Sequence, residues 1–149
     1  TPTDPRYTTP EASLSDVDAS LAFFIACWPI LDPLARYRMV QEAGKERLID
    51  ATKAYFPTED DMKIGNPFMV LERGEATHKP PMMIIQGTED GNVEHTRADI
   101  FAERYLAVGG SVELHKFDGR PHMFILVEPE AETTKDAIEK LRNFVLAQA

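Results

Sequence analysis

The sequence predicts an α/β fold, in which a mostly parallel sheet is flanked by helices. Short apolar runs without alternation, typical of strands buried in a parallel sheet, alternate along the chain with segments of helical spacing. The composition agrees, since 43% of the 149 residues are hydrophobic and 28% are charged. Ordinary globular domains have roughly 45–50% and 25%. The chain can therefore bury a core.

The first element is an extended segment followed by a strand. Residues 1–10 hold three prolines, which remove backbone donors and disfavour helix in the residue before them. They predict an extended surface segment. The apolar run 21–28 stops at Pro29 and predicts a strand buried on both faces, with a buried helix as the alternative.

Helical spacing begins at Asp32 and extends to about Phe56, with an interruption near Gly44. This pattern predicts two short helices that continue to Met62. A mixed stretch follows, bracketed by Asn66-Pro67 and by the prolines at 80 and 81, and no element is predicted within it.

The second half of the chain repeats the order strand, helix, strand, helix. Residues 82–85 run directly into Gly87 and predict a second buried parallel strand. Residues 94–108 have amphipathic spacing and stop at Gly109-Gly110, which predicts a helix with a glycine cap. Residues 112–117 alternate and predict a strand with one wetter face near the sheet edge, and residues 134–148 predict the closing helix.

Charge and hydropathy exclude several classes of protein. The chain has 16 basic and 25 acidic residues, a formal charge of −9, which argues against nucleic acid and anionic membrane as partners. The longest apolar run, 21–31, is far short of the roughly 18–20 residues of a membrane span, and no signal sequence opens the chain. A cytoplasmic location is expected. The chain starts at Thr1 rather than Met, so we expect that a part upstream is missing.

Two loops follow predicted strands at their carboxyl ends, where open α/β sheets place their ligands. Residues 86–93 contain Asp90 and residues 117–124 contain His122. One helix and one strand separate the loops, so both emerge at the same sheet edge and the two side chains can meet. An aspartate that accepts the Nδ1 proton of histidine fixes its tautomer and supports the imidazolium formed when Nε2 takes a proton from a nucleophile.

These loops resemble those of the α/β-hydrolase superfamily, specifically carboxylesterases and lipases near the hormone-sensitive-lipase-like and bacterial feruloyl-esterase-like groups. The acid stands in a Gly-x-x-Asp phrase, residues 87–90, and the histidine in a Gly-x-x-His phrase, residues 119–122. Residues 4–7 and 26–33 resemble the region just downstream of the nucleophile. The resemblance implies a serine-type ester hydrolase in which Asp90 orients His122, the general base and acid.

The chain has no Gly-x-Ser-x-Gly phrase and no His-Gly-Gly loop for the oxyanion. The resemblance therefore implies that residues 1–149 are the C-terminal part of a single domain. A separate N-terminal half would supply the serine and the oxyanion hole. An intact fold of this kind runs to about 250–300 residues.

The resemblance also assigns parts to the remaining segments. Residues 32–62 would form a helical cap-like segment that shapes the pocket for a small ester, and Trp28, Val93 and Met123 would contact that substrate. No cofactor or metal is implied, and association with further copies of the chain is left open.

Other activities use the same residues. Amidases, peptidases and carbamate hydrolases of this superfamily share the acid and histidine, and some relatives are non-catalytic binding proteins. An N-terminal threonine can itself be a nucleophile, but the prolines at 2, 5 and 10 forbid the regular strand that such a Thr1 normally opens.

The remaining candidate residues are interpreted as structural. His78, His95 and His115 lie outside the two loops, with His95 opening a helix and His115 on the wetter face of a strand. Residues 90–92 begin like a calcium loop but lack its later oxygen ligands. A single cysteine, Cys27, excludes an internal disulfide and a multi-cysteine zinc site.

Overall fold

A computed structural model describes residue 18 and residues 20–76 and 78–148. The predictions for residues 1–10, Thr1 and residues 4–7 fall outside these residues. The described elements are, in chain order, β1 (Phe24–Cys27), α1 (Pro33–Glu42), α2 (Glu46–Tyr55), α3 (Glu59–Ile64), α4 (Pro67–Glu72), β2 (Met82–Gly87), α5 (Thr96–Ala107), β3 (Val112–Phe117), α6 (Phe124–Val127) and α7 (Glu132–Ala147).

The described sheet has three parallel strands in the order β1, β2, β3. The helices α1 to α4 connect the first two strands, and α5 connects the second to the third. Every residue of β2 is buried, which suits the central strand. The predicted α/β fold is confirmed, as are the strands at 82 and 112 and the helices that follow each of them.

Side chains of β2 alternate between two cores because successive residues of a strand point to opposite faces. Met82 and Ile84 pack with Phe101 and Tyr105 of α5 on one face. On the other face, Met83 and Ile85 pack with the second cluster, whose further buried members are Phe117, Phe124, Ala137 and Phe144. Helices α5 and α7 thus cover opposite faces of the sheet.

The first predicted strand is confirmed as a parallel strand, but it is shorter and more exposed than expected. A strand buried on both faces was expected over residues 21–28, but β1 has four residues and pairs only with β2 among the described residues. Phe24 is 43% exposed and Leu21 is 51% exposed. The apolar run describes a strand that lies at an edge in this part of the chain, so its apolar residues lack a second neighbour.

The segment between β1 and β2 contains more helices than the sequence predicted. The interruption near Gly44 is confirmed, since Gly44 has φ +62°, a conformation that other residues rarely adopt. Thr58 then caps α3 with a capping box. The stretch left unassigned contains α4, which Asn66 caps and Pro67 opens. The four-residue α6 was also missed. None of the described helices is long and apolar enough to cross a bilayer.

A buried carboxylate, Asp32, holds this helical segment against the rest of the fold. It caps α1 by accepting a hydrogen bond from Ala35 N at 3.0 Å, and it accepts a second from Asn66 Nδ2 at 2.9 Å. Arg97 of α5 forms an ion pair with its other oxygen. Burial by itself raises the pKa of Asp32, but these hydrogen bonds and the Arg97 charge outweigh it and lower the pKa. The segment is therefore tied to α5.

Replacing Asp32 with Ala is expected to lower the free energy of unfolding by about 2–4 kcal/mol, because it removes a helix cap and leaves Arg97 unpaired. Urea unfolding of the protein in its native assembly measures this loss. The lowered folded-state pKa means that the stabilisation is present above pH 3.8, the ordinary value for aspartate, and is lost as the pH falls further. A difference between wild type and variant that persists unchanged in acid would contradict this account.

Candidate active site

The two loops predicted to meet are held together by their backbones. A Cβ at Gly87 would lie 2.2 Å from the carbonyl oxygen of Arg120, so only glycine allows this approach. That same oxygen accepts a hydrogen bond from Glu89 N at 3.1 Å. Thr88 Oγ1 accepts from Gly119 N at 2.8 Å and bonds to the Asp118 carboxylate at 3.1 Å. The ends of β2 and β3 thus bring the acid and histidine loops into contact.

Asp90 lies in the first loop with its carboxylate fully enclosed, since its side chain is 0% exposed. Oδ1 accepts hydrogen bonds from the backbone N–H groups of Asn92 at 2.8 Å and Val93 at 2.9 Å. Oδ2 accepts from Gln86 Nε2 at 3.0 Å and lies 2.8 Å from His122 Nδ1. Four donors satisfy the roughly four lone-pair positions of the carboxylate, so Asp90 is fixed in orientation.

His122 lies in the second loop, and its side chain is 23% exposed. Its Nδ1 faces Asp90. Its Nε2 lies 3.0 Å from Asn92 Nδ2. The ring of Trp28 contacts it edge-on, with centroids 6.1 Å apart. Within the described residues, no serine is hydrogen-bonded to His122.

The hydrogen bonds of Asn92 fix the tautomer of His122. Arg36 donates to Asn92 Oδ1 and, at 3.3 Å, to Asn92 O. A guanidinium has donors only, so the atom it meets must be the amide oxygen, and the amide nitrogen faces His122. That nitrogen is also a donor, so Nε2 must accept and Nδ1 must carry the ring proton toward Asp90.

Two residues beside the histidine have strained backbones. Trp28 has φ +42° and Met123 has φ +61°, conformations that cost a non-glycine residue on the order of 1–3 kcal/mol. Trp28 N donates to Ile85 O at 2.7 Å, and the chain bends at Trp28 as it leaves β1. The bend presents the indole to His122. Met123 follows His122 in the sequence, is 37% exposed and lies at the start of α6.

Val93, predicted as a substrate contact, lies in the acid loop next to Asn92. Its side chain is 3% exposed, and its backbone N–H holds Asp90. The other histidines lie away from the pair: His78 bonds to Leu21 O, His95 precedes α5, and His115 pairs with Glu113 on β3. Burial raises the pKa of the Cys27 thiol, which therefore stays protonated. In the described ranges, no group of three His, Cys, Asp or Glu side chains is arranged to hold a metal ion.

The helical segment contacts the acid loop directly. Arg36 of α1 bonds to Asn92, and Lys45, between α1 and α2, donates to the carbonyl oxygen of Gly91. Arg36 also donates to Thr52 Oγ1 at 2.5 Å. A largely apolar groove of about 530 Å³ opens beside these residues, lined by Ile30, Pro33, Arg36, Thr52, Tyr55 and Phe56. Residues 32–62 thus lie against the candidate site.

Sequence reasoning found the pair but missed three residues that hold it, namely Gln86, Asn92 and Arg36. Gln86 lies near the end of β2 and Asn92 in the acid loop, and their amides, close in sequence to Asp90, were the available signal. Arg36 lies in α1, 56 residues before Asn92 in the sequence. Nothing in the local sequence pattern around Arg36 indicates its contact with Asn92. Gln86 Oε1 is buried with no hydrogen-bond partner among the described residues.

No family model and no curated protein sequence matches this chain. Several solved protein structures match the fold of this chain. Esterase 2 of the planctomycete Thermogutta terrifontis, determined with propionate bound, is 23% identical, with a TM-score of 0.59 over 94% of this chain and 48% of the esterase chain. The same esterase phosphoramylated by tabun is 24% identical over 83% of this chain and 41% of its own, with a TM-score of 0.52.

A puromycin hydrolase mutant, determined as a complex, is 24% identical, with a TM-score of 0.60 over 85% of this chain and 18% of the hydrolase chain. The chain therefore spans about half of the esterase in its propionate-bound structure and under a fifth of the puromycin hydrolase. At these identities the likeness concerns the fold. The chain has the fold of part of an α/β-hydrolase.

Proposed function

We propose that this chain is the histidine- and acid-bearing part of a carboxylic ester hydrolase with a Ser-His-Asp mechanism. The observation that carries the proposal is the 2.8 Å hydrogen bond between His122 Nδ1 and the carboxylate of Asp90. This carboxylate is buried, and each of its oxygens already has hydrogen-bond donors. The pair sits at the carboxyl ends of adjacent parallel strands, where this fold class binds ligands. The serine and the oxyanion hole come from a separate N-terminal part.

The mechanism uses both ring nitrogens of His122. Nε2 accepts the proton of the serine hydroxyl as the serine oxygen attacks the ester carbonyl carbon, and the imidazolium then gives this proton to the departing alcohol. In the second half, Nε2 takes a proton from water as the water oxygen attacks the acyl-serine. The imidazolium returns that proton to the serine, and the carboxylic acid leaves.

Asp90 stays ionised through both halves of this reaction. Its role is to hold the Nδ1 proton and to stabilise the positive charge that forms on the ring. Because three other donors already fix its carboxylate, Asp90 needs no rearrangement when that charge develops. Such preorganisation is what makes electrostatic stabilisation effective in an enzyme.

The likeness to an esterase supports ester substrates. The likeness to a puromycin hydrolase supports a second candidate, hydrolysis of an amide by the same pair. We favour the small ester, with residues 32–62 as a cap-like segment and Trp28 and Met123 at the substrate. The groove beside Arg36, lined by the rings of Tyr55 and Phe56, is the volume in which this segment would select the acyl or alcohol group.

Replacing His122 with Ala is expected to lower turnover of an activated ester by on the order of 10⁶, and Asp90→Asn by about 10⁴, because comparable triads lose these factors. The two losses should not add, since without the imidazole the carboxylate has nothing to orient. The measurement uses the complete protein, with the nucleophile-bearing part present. His115→Ala, at a histidine on β3, is the matched control and should leave the rate unchanged.

A fluorophosphonate probe gives an independent test of the nucleophile. It should label a serine in the nucleophile-bearing part, and label it far more slowly in both the His122 and Asp90 variants. Unchanged rates in His122→Ala would refute the assignment. Labelling of Thr1 would instead favour the N-terminal-nucleophile alternative.

The separate N-terminal part should be required for cooperative folding. Leu21, which precedes β1, and Phe24, its first residue, are half exposed. Among the described residues β1 pairs only with β2, so its other edge is open to another strand. We expect residues 1–149 alone to lack a sharp thermal transition and to regain one with the serine-bearing part, through an interface resembling a divided core. A sharp cooperative transition of the isolated monomer would contradict this prediction.

Replacing Trp28 with Leu should change which esters are accepted. If the indole borders the substrate, kcat/KM for a bulky ester should change by at least about tenfold relative to a small acetyl ester, the order of effect expected of one altered pocket contact. Steady-state kinetics on a series of acyl chain lengths measures this ratio. Equal losses on every ester, together with a lower melting temperature, would mean that Trp28 serves the core.

A further inference from the structure

The reactive nitrogen of His122 already has a partner within this chain. Asn92 Nδ2 lies 3.0 Å from Nε2, the nitrogen that would accept a nucleophile's proton in the proposed mechanism. The mechanism proposed above does not use Asn92. Its side chain therefore calls for a role of its own.

The orientation of the Asn92 amide is set from the opposite side by Arg36. The guanidinium is buried, with Arg36 7% exposed, and it contacts both the side-chain and the backbone oxygens of Asn92. An amide that turned over would bring its NH₂ group against these N–H donors and leave a buried donor unsatisfied. The amide nitrogen is thus held toward His122.

The same guanidinium is coupled to the acid of the pair. Burial lowers the pKa of Arg36, and the negative charge of Asp90 opposes that effect by favouring the charged guanidinium. Two charged groups of the described residues are thus linked to the imidazole: Asp90 at Nδ1 directly, and Arg36 on the Nε2 side through Asn92. The edge of Trp28 covers a third direction.

We propose that Asn92 is a positioning residue that keeps Nε2 of His122 free of a proton, and that Arg36 of α1 holds it in that orientation. A protonated Nε2 would set its N–H against the amide N–H, so that two donors face each other with no acceptor between them. The neutral imidazole avoids this conflict. The general base is therefore ready for a proton before the nucleophile is engaged.

The arrangement also lets the nucleophile enter at small cost. A serine hydroxyl approaching Nε2 donates to the same lone pair that Asn92 occupies, so one hydrogen bond replaces another of the same kind. This catalytic consequence rests on the proposed function, whereas the protonation state of Nε2 does not.

Asn92→Asp is the decisive variant. It preserves the size of the side chain and the oxygen that Arg36 binds, but it replaces the donor facing Nε2 with an acceptor. We expect Nε2 to become protonated at neutral pH. Asn92→Leu, of similar volume, removes the donor without supplying an acceptor, so Nε2 should be protonated in a larger fraction of molecules than in wild type and in a smaller fraction than in Asn92→Asp.

The protonation of Nε2 is measured by heteronuclear NMR of the complete protein with isotope-labelled histidine. The His122 signals are identified by their loss in His122→Gln. An unprotonated Nε2 in Asn92→Asp, or an Nε2 no more protonated in Asn92→Leu than in wild type, would overturn the proposal. Arg36→Met gives a second reading if the aspartate variant does not fold: it frees the amide to turn its oxygen to Nε2, and a spectrum identical to wild type would overturn the part assigned to Arg36.

Kinetics separates this inference from the proposed function. If both hold, Asn92→Asp slows fluorophosphonate labelling by about 10²-fold or more, since a general base contributes 10²–10⁴. Asn92→Leu should slow it within about tenfold, the effect of one neutral hydrogen bond. A protonated Nε2 with an unchanged labelling rate would leave the inference standing and refute the role of His122 in hydrolysis.

Discussion

The enclosed negative charge of Asp90 is the constraint on which the arrangement of this chain depends. A carboxylate removed from water is tolerated only where hydrogen bonds and opposite charge replace its hydration. Here Gln86, two backbone N–H groups and His122 supply the hydrogen bonds. The backbone donors require the tight turn after β2, and the histidine requires a second loop at contact distance. The absence of a side chain at Gly87 makes that contact sterically feasible.

The same constraint explains why a helical segment is needed beside the sheet. The acid loop is short and polar, and its Asn92 and Gly91 oxygens need hydrogen-bond donors from outside the loop. Arg36 and Lys45 bind the oxygens of Asn92 and Gly91, so the helices between β1 and β2 complete the polar surroundings of the loop. The same helices therefore serve both the fold and the candidate site: they bury apolar residues, and their Arg36 also holds Asn92 beside the imidazole.

Much of this fold could be predicted from the sequence because its strongest signals are local. The run at residues 82–85, the amphipathic spacing of α5 ending at Gly109, and the alternation of β3 each arise within one element. The pair Asp90 and His122 could be predicted because parallel strands bring their carboxyl ends together at one edge of the sheet. By contrast, α4 and α6 are too short to display a period, and the exposure of Phe24 in β1 was not predicted, because an apolar run does not reveal how many neighbours its strand has within this chain. Arg36 was missed because its partner lies in another element, and only the folded chain brings them together.

Asp32 gives the helical segment a property that bears on how such a protein can diversify. It joins the start of α1 to α5 through Arg97, and one turn later Arg36 of the same helix reaches Asn92. A segment attached at both points cannot be exchanged as a module for one from another protein without also releasing the loop that carries the acid. Point substitutions along the groove, such as at Ile30 before α1 and at Tyr55 at the end of α2, leave both attachments in place, whereas changes at Asp32 or Arg36 remove one of them. Lineages sharing this architecture should therefore vary in sequence along the groove far more than at the two attachment points of α1.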